Sequence, residues 1–299
     1  MYTKDKKMLN SFEKNIYSQF GEDGIIAEIF KRLSNHIIID KWCVEFGAWD
    51  GIHLSNTYNL IKNFNYNAVL IEGDPKKYKL LCKNIPNNNV HKILKFVDFS
   101  GANSLDNILK STPIPKNFDL LSIDIDGCDY HILDSLLEYT PKIICIEYNP
   151  TIPNSVFYVQ PKNFNIKHGS SPASLIKLGS LKGYKLIACT TTNIFLAHVD
   201  FYHHLSSNDI SIDSIRDDSN VVTYLFSGYN GEILSNREDV YLPWHQFSAP
   251  IKNMQSLPKF LLKFHSDYNL IQRLYFNFWL FFKYNSTFNK RFKNLLNIK

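Results

Sequence analysis

Two aspartates with one residue between them, Asp124 and Asp126 in the run SIDIDGCDYH, and Glu147 in the next apolar run could do chemistry together. On a strand, residues two apart project from one face. Gathered carboxylates repel, and one keeps a proton unless a cation sits between them. Two kinds of chemistry follow. Asp124, Asp126, Glu147 and Asn149 could supply oxygen ligands to a divalent cation such as Mg or Mn, which lowers the pKa of a bound hydroxyl. Otherwise Asp124 or Asp126 takes the proton of a hydroxyl nucleophile as general base. The structural alternative for Asp124 is a cap on the turn that follows. His131, just past the pair, and His168, at the head of HGSSPASL, are candidates to move a proton or touch a substrate. A lone histidine is more often structural.

A second stretch, CVEFGAWDGIHLSN from Cys43 to Asn56, has Gly47 and Gly51 flanked by Glu45 and Asp50. Glycines let a ligand approach the chain. A pyrophosphate prefers a helix N-terminus free of acids, so the two acids point instead to a cationic ligand, and S-adenosylmethionine carries a sulfonium and an ammonium. A plain strand-to-helix turn is the alternative. Glu72 lies 25 positions after Gly47, where an acid accepts ribose hydroxyls in nucleotide-binding sheets. Asp98 is placed to meet an adenine amino group. In YSQFGEDG, Gln19, Glu22 and Asp23 form either a helix start with an acidic first turn or a lid over the cofactor. GxGxxG, Walker A, GxSxG and HExxH patterns do not occur, so dinucleotide binding and serine-hydrolase chemistry have no support.

These residues need elements that carry them. Ile25, Ile26, Ile29, Phe30 and Leu33 recur at helical spacing. Apolar strand-like runs at 41–47, 68–73, 92–99, 119–126 and 142–149 alternate with helical stretches. A looser Asn-, Pro- and Tyr-rich segment covers 150–168, a helix 171–183, and two closely spaced strands 184–190 and 193–199. Repeated β-α units with near-continuous apolar strands predict a doubly wound, mostly parallel sheet. The final pair predicts an antiparallel edge hairpin, as in the Rossmann-like class I methyltransferase fold. In such sheets ligands bind beyond the carboxyl ends of the strands, where Glu45, Glu72, Asp74, Asp98, Asp124, Asp126 and Glu147 fall.

Charge is unevenly spread. The chain is +5, but the segment 259–299 has eight Lys or Arg against one acid, so the other 258 residues carry −2. A near-neutral body argues against nucleic acid as a partner. The five cysteines show no CxxC pair or regular spacing, which argues against a disulfide framework. No N-terminal apolar segment resembles a signal peptide, and no stretch of 18 apolar residues occurs. The expected location is cytoplasmic, or peripheral at the inner membrane face. Three regions are expected: a catalytic domain over 1–200, an irregular extension over 201–258 on the substrate side, and a basic aromatic helical tail over 259–299. The tail suits an anionic interface or packing on the body or a partner protomer.

YSQFGEDG, CVEFGAWDGIHLSNTYNL, LIEGDP, LLSIDIDGCDYHIL, IEYNP and GSSPASLIKLGSLKGYKLI occur in that order. Together they resemble the FkbM-like S-adenosylmethionine-dependent methyltransferases, in a branch found in polysaccharide and capsule biosynthesis clusters. The resemblance spans about 15–200. It implies O-methylation of a sugar hydroxyl, on a sugar nucleotide or polysaccharide. The residues then expected against the cofactor are Gln19, Glu45, Gly47, Ala48, Asp50, Gly51, Ser55, Asn56, Glu72, Gly73 and Asp98, with Asp124 or Asp126 near the reacting centre. Many members have a single acid followed by EG where this chain has DIDG and Asp129, which favours a metal. The runner-up is a metal-dependent glycosyltransferase that uses Asp124-Ile-Asp126 as a DxD motif.

Overall fold

The structure, a computed structural model, describes residues 7–284. The expected tail therefore lies partly outside the described residues, from 285 onward. The chain divides into two compact units, one through Val222 and one from Thr223.

The first unit alternates helix and strand: α1 (Glu22–Leu33), β1 (Trp42–Phe46), α2 (Tyr58–Phe64), β2 (Asn67–Glu72), α3 (Pro75–Asn84), β3 (Val90–Leu94), α4 (Leu105–Leu109), β4 (Leu120–Ile123), α5 (Asp129–Ser135), β5 (Ile143–Glu147), α6 (Pro172–Leu181), β6 (Tyr184–Cys189) and β7 (Asn193–His198). Two short helices follow, α7 (Val199–Leu205) and α8 (Ile212–Ile215). The seven strands are ordered β3-β2-β1-β4-β5-β7-β6. β3 to β5 are mutually parallel, and β7 runs antiparallel to both neighbours. This is the expected doubly wound class I methyltransferase arrangement. The closing hairpin adds one detail: its last strand lies inside, and β6 takes the edge.

Successive strand residues alternate between two apolar layers. Val44, Phe46, Ile123 and Ile146 pack under α4, α5 and α6. Cys43, Leu70, Leu120 and Phe195 pack under α1, α2, α3 and α7. Fully burying one such side chain contributes about 1.5–3 kcal/mol. The helical stripe of α1 is buried as its spacing predicts, from Ile25 to Leu33. α7 places Tyr202 and Leu205 in the second layer, which is why the first unit continues past residue 200.

β1 pairs with both β2 and β4. From β1 the chain winds outward through β2 and β3, then returns to β4 and winds the other way. The crevice at the carboxyl ends of β1 and β4 is the switch point where ligands bind in open α/β sheets.

The second unit has two antiparallel ribbons, β8 (Leu225–Ser227) with β9 (Ile233–Ser235) and β10 (Asp239–Leu242) with β11 (Phe247–Pro250). It also contains the helix α9 (Leu270–Tyr284). The stretch expected to be irregular thus includes short paired strands. No described helix is long and apolar enough to cross a membrane.

Candidate functional site

The loop after β1 turns sharply four times. Gly47, Trp49, Gly51 and Leu54 all have positive φ, a region costly for any residue with a Cβ. The two glycines have separate causes. A Cβ on Gly47 would lie 2.1 Å from the Asp124 carbonyl oxygen, so this glycine lets β1 meet the end of β4. A Cβ on Gly51 would strike Leu81 and Ile85, so that glycine serves the packing of α3.

Glu45 is buried and already partnered. It accepts Ser55 Oγ at 2.6 Å, Thr57 Oγ1 at 2.7 Å and the Asn56 N–H at 2.9 Å. Burial raises its pKa, and these hydrogen bonds oppose the rise. Its carboxylate ties the loop back onto β1. Ser55 and Asn56 are buried in the same network, and Asn56 Nδ2 donates to Ser122 Oγ at 3.1 Å. Asp50 folds its carboxylate onto the Ile52 and His53 N–H groups, and buried Ala48 donates its N–H to Ile71. Of the loop residues assigned to cofactor, Glu45, Asp50, Ser55 and Asn56 therefore use their side chains to shape it. Gly47 is the exposed one among them, with Trp49, His53 and Leu54 exposed beside it in the loop.

Glu72, the last residue of β2, accepts the Trp49 N–H at 2.8 Å through one oxygen and the Asp74 N–H at 2.8 Å through the other. Both oxygens are oriented, and each has a lone pair left. Gly73 beside it is exposed, and Asp74 caps α3. Asp98 departs from expectation. β3 stops at Leu94, so Asp98 lies in an exposed turn, bridged to Ser104, with its carboxylate on the Phe99 N–H. The apolar run at 92–99 outlasts the strand, because Phe96, Val97 and Phe99 continue it past Leu94.

Asp126 is also not on a strand. β4 ends at Ile123, and Asp126 has φ +55. The pair converges for a different reason: buried Asp129 accepts the Ile125 and Gly127 N–H groups, both at 2.9 Å, and coils the loop back. Carboxylate oxygens of Asp124, Asp126 and Glu147 then lie within 4.8 Å of one another. Asp124 is open to solvent although protein atoms crowd around it. Burial, then Asp129 and Asp126, raise its pKa to about 7, against the opposing pull of a hydrogen bond with Glu147. Burial, then Asp124, hold Glu147 well above the usual carboxylate range. Burial and mutual repulsion thus favour the protonated form at both groups. No Lys or Arg forms a salt bridge with the three among the described residues.

Asn149 does not join them. Its Oδ1 accepts the Thr151 N–H and hydroxyl at 2.8 and 2.7 Å, and its Nδ2 donates to the His168 carbonyl. Its side-chain oxygen has no lone pair left for a metal. His131 is likewise structural, because its Nε2 donates to the Gln160 carbonyl at 2.8 Å. His168 remains exposed, with Nδ1 2.7 Å from the Tyr158 hydroxyl. It lines an open cleft of about 460 Å³ with Asn149, Ile152, Val156, Tyr158 and Lys167.

Three residues that position this wall carry no motif. Gln160, buried, accepts the His168 and Gly169 N–H groups and donates to Cys128 Sγ and the Ile166 carbonyl. Arg216 donates to the carbonyls of Pro150 and Ile152 and to Asn154 Oδ1. Asp129 is the third. Only Asp129 left a sequence signal, as an extra acid near the pair.

Asp23 organises YSQFGEDG. Its Oδ2 accepts the N–H groups of Ile16, Tyr17 and Ser18 at 2.7–2.8 Å. Glu22 accepts Thr190 Oγ1 and Asn193 Nδ2. Both acids are buried framework, while Gln19 is exposed. Asp23 Oδ1 and Asn193 Oδ1 are buried acceptors without a donor, and Asn193 pairs with Glu147 across β7 and β5.

No protein-family model and no curated protein matches the sequence. Solved structures with a similar fold include a SAM-dependent methyltransferase from Aquifex aeolicus, at 10% identity and TM-score 0.37, covering 59% of this chain and 88% of that one. The glycopeptide N-methyltransferase MtfA complexed with S-adenosylmethionine gives 8% and 0.34, over 57% and 85%. TrmK of M. capricolum with S-adenosylhomocysteine gives 13% and 0.33, over 57% and 65%. Likeness of this degree carries no residue role or activity to this chain.

Proposed function

We propose that the chain is an FkbM-like S-adenosylmethionine-dependent O-methyltransferase acting on a sugar hydroxyl of a sugar nucleotide or surface polysaccharide. One observation carries the reading. At the carboxyl ends of β4 and β5, Asp124, Asp126 and Glu147 gather with no Lys or Arg salt-bridged to them among the described residues. A cationic ligand fits such a carboxylate cluster, whereas a pyrophosphate does not. Glu72 would hold the ribose hydroxyls with its two oriented oxygens, beside the exposed backbone of Gly47 and Gly73.

Bound S-adenosylmethionine supplies an electrophilic methyl group. The chain must hold the acceptor oxygen in line and remove its proton. Asp126, exposed and carried on the coil that Asp129 holds, is positioned to take that proton, a contribution of roughly 10²–10⁴-fold. Burial favours a proton on the neighbouring Asp124 and Glu147, which limits repulsion. A divalent cation, Mg or Mn, would instead be held by Asp124, Asp126 and Glu147. The cleft of Tyr158, His168 and Lys167 offers an aromatic ring and polar groups to a sugar.

Incubation with S-adenosylmethionine and a panel of sugar nucleotides, with and without EDTA, read by mass spectrometry, tests this. A mass gain of one methyl group is expected, and Asp126→Ala should abolish it while S-adenosylhomocysteine still binds. Loss of S-adenosylhomocysteine binding in that variant would remove Asp126 from the proton-accepting role. Thermal stabilisation by UDP- or GDP-sugars but not by S-adenosylhomocysteine would favour the glycosyltransferase use of Asp124 and Asp126.

A further inference from the structure

Helix α9 faces the wrong way for a helix surrounded only by water. A surface helix normally turns its apolar stripe inward. Here Leu270, Ile271, Leu274, Tyr275, Phe278 and Phe281 are between 42% and 75% exposed. At 100° per residue they occupy one arc free of charge. The opposite side is committed within the second unit. Gln272 Nε2 donates to the Phe260 carbonyl at 2.8 Å, and Arg273 Nε donates to the Tyr268 carbonyl at 2.9 Å. Phe276 packs against His265 and Tyr268. Asn269 and Gln272 cap the helix start reciprocally, at 2.9 and 3.1 Å. The inward face is fixed, so the apolar arc cannot turn under by rotation.

We propose that this arc docks in the plane of an anionic lipid surface. Exposed contiguous apolar surface marks an interaction site, and charge selects the occupant. Residues 259–299 carry +7 while the remainder carries −2. An anionic bilayer satisfies both properties at once: the ring and aliphatic groups enter the headgroup boundary, and the net positive charge of the segment is attracted to the lipid phosphates. A second copy docked arc to arc would bring two +7 segments together, which their repulsion opposes.

Sedimentation of the full chain with phosphatidylcholine vesicles, alone or containing phosphatidylglycerol, tests the proposal. The chain sediments with the anionic vesicles and is released by added salt. Leu274→Ser with Phe278→Ser, which leaves charge unchanged, lowers partitioning by roughly tenfold or more at an unchanged melting temperature. Should that pair unfold the protein, the single variant Ile271→Ser, at a more exposed position, gives the same readout with a smaller loss. Failure to sediment with anionic vesicles overturns the proposal. So does full retention of binding by a folded serine variant, or a dimer in light scattering that the variant dissociates while vesicles are ignored.

Discussion

Gly47→Ala tests how the two central strands meet. At the present backbone the new Cβ would stand 2.1 Å from the Asp124 carbonyl oxygen and 3.3 Å from its carbon. Comfortable carbon-to-carbonyl contact needs about 3.3–3.6 Å, so the strand ends must part by over about 1 Å. Neither side can yield by rotamer change, because the obstacle is backbone at the end of a paired strand. The left-handed φ of +74 adds about 1–2 kcal/mol to an overpacking cost of about 1–3 kcal/mol. The sum of about 2–5 kcal/mol lowers the melting temperature by roughly 4–20 °C for a domain of this size. Gly101→Ala is the internal control. Gly101 has φ +72 and nothing within 4 Å of a Cβ, so it bears only the conformational part, a fall of roughly 2–8 °C. Calorimetric melting of both variants, with titration of S-adenosylhomocysteine by heat, separates the effects. Gly47→Ala should melt lower than Gly101→Ala and bind the ligand more weakly. Equal melting temperatures with unchanged binding would refute the contact between Gly47 and Asp124 as the reason for the glycine.

Two further predictions concern the carboxylates and the wall. Asp124, raised to about 7, holds in the folded state a proton that the unfolded chain releases near its ordinary value of about 3.9. Its stabilising contribution is full below that value and lost as pH rises through about 7. Asp124→Asn should therefore flatten the fall in melting temperature between about pH 4 and 7; an unchanged slope would show that Asp124 is not its source. Arg216→Ala leaves the Pro150 and Ile152 carbonyls and Asn154 Oδ1 without their donor, a cost of about 1–3 kcal/mol for each buried group. The variant should raise KM for the acceptor while S-adenosylhomocysteine affinity, measured by titration, stays unchanged.

Periodicity made much of the architecture legible. The stripe from Ile25 to Leu33 and the continuous apolar strands can satisfy burial in few ways, because side-chain direction repeats with fixed periods. The acids at the ends of β1, β2, β4 and β5 were likewise readable, since chain position along a parallel strand determines which end of the sheet it reaches. Direction at an irregular position has no such period. The apolar runs that carry Asp98 and Asp126 continue past strands that end four and three residues earlier, at Leu94 and Ile123. Asp126 nevertheless reaches its partners, because Asp129 coils the loop.

Occupancy was the other thing hidden. A carboxylate, amide or imidazole in the sequence looks available for chemistry, but each has few hydrogen-bonding positions. Glu45, Asn149 and His131 spend theirs on Ser55, Thr151 and the Gln160 carbonyl. Gln160 and Arg216 fill theirs from segments distant in sequence, so no local pattern announces them. The chain by itself determined the sheet, its switch point and the acids that arrive there. Only the folded structure decided which acids remain unpartnered, because a hydrogen bond depends on what lies across space rather than along the chain.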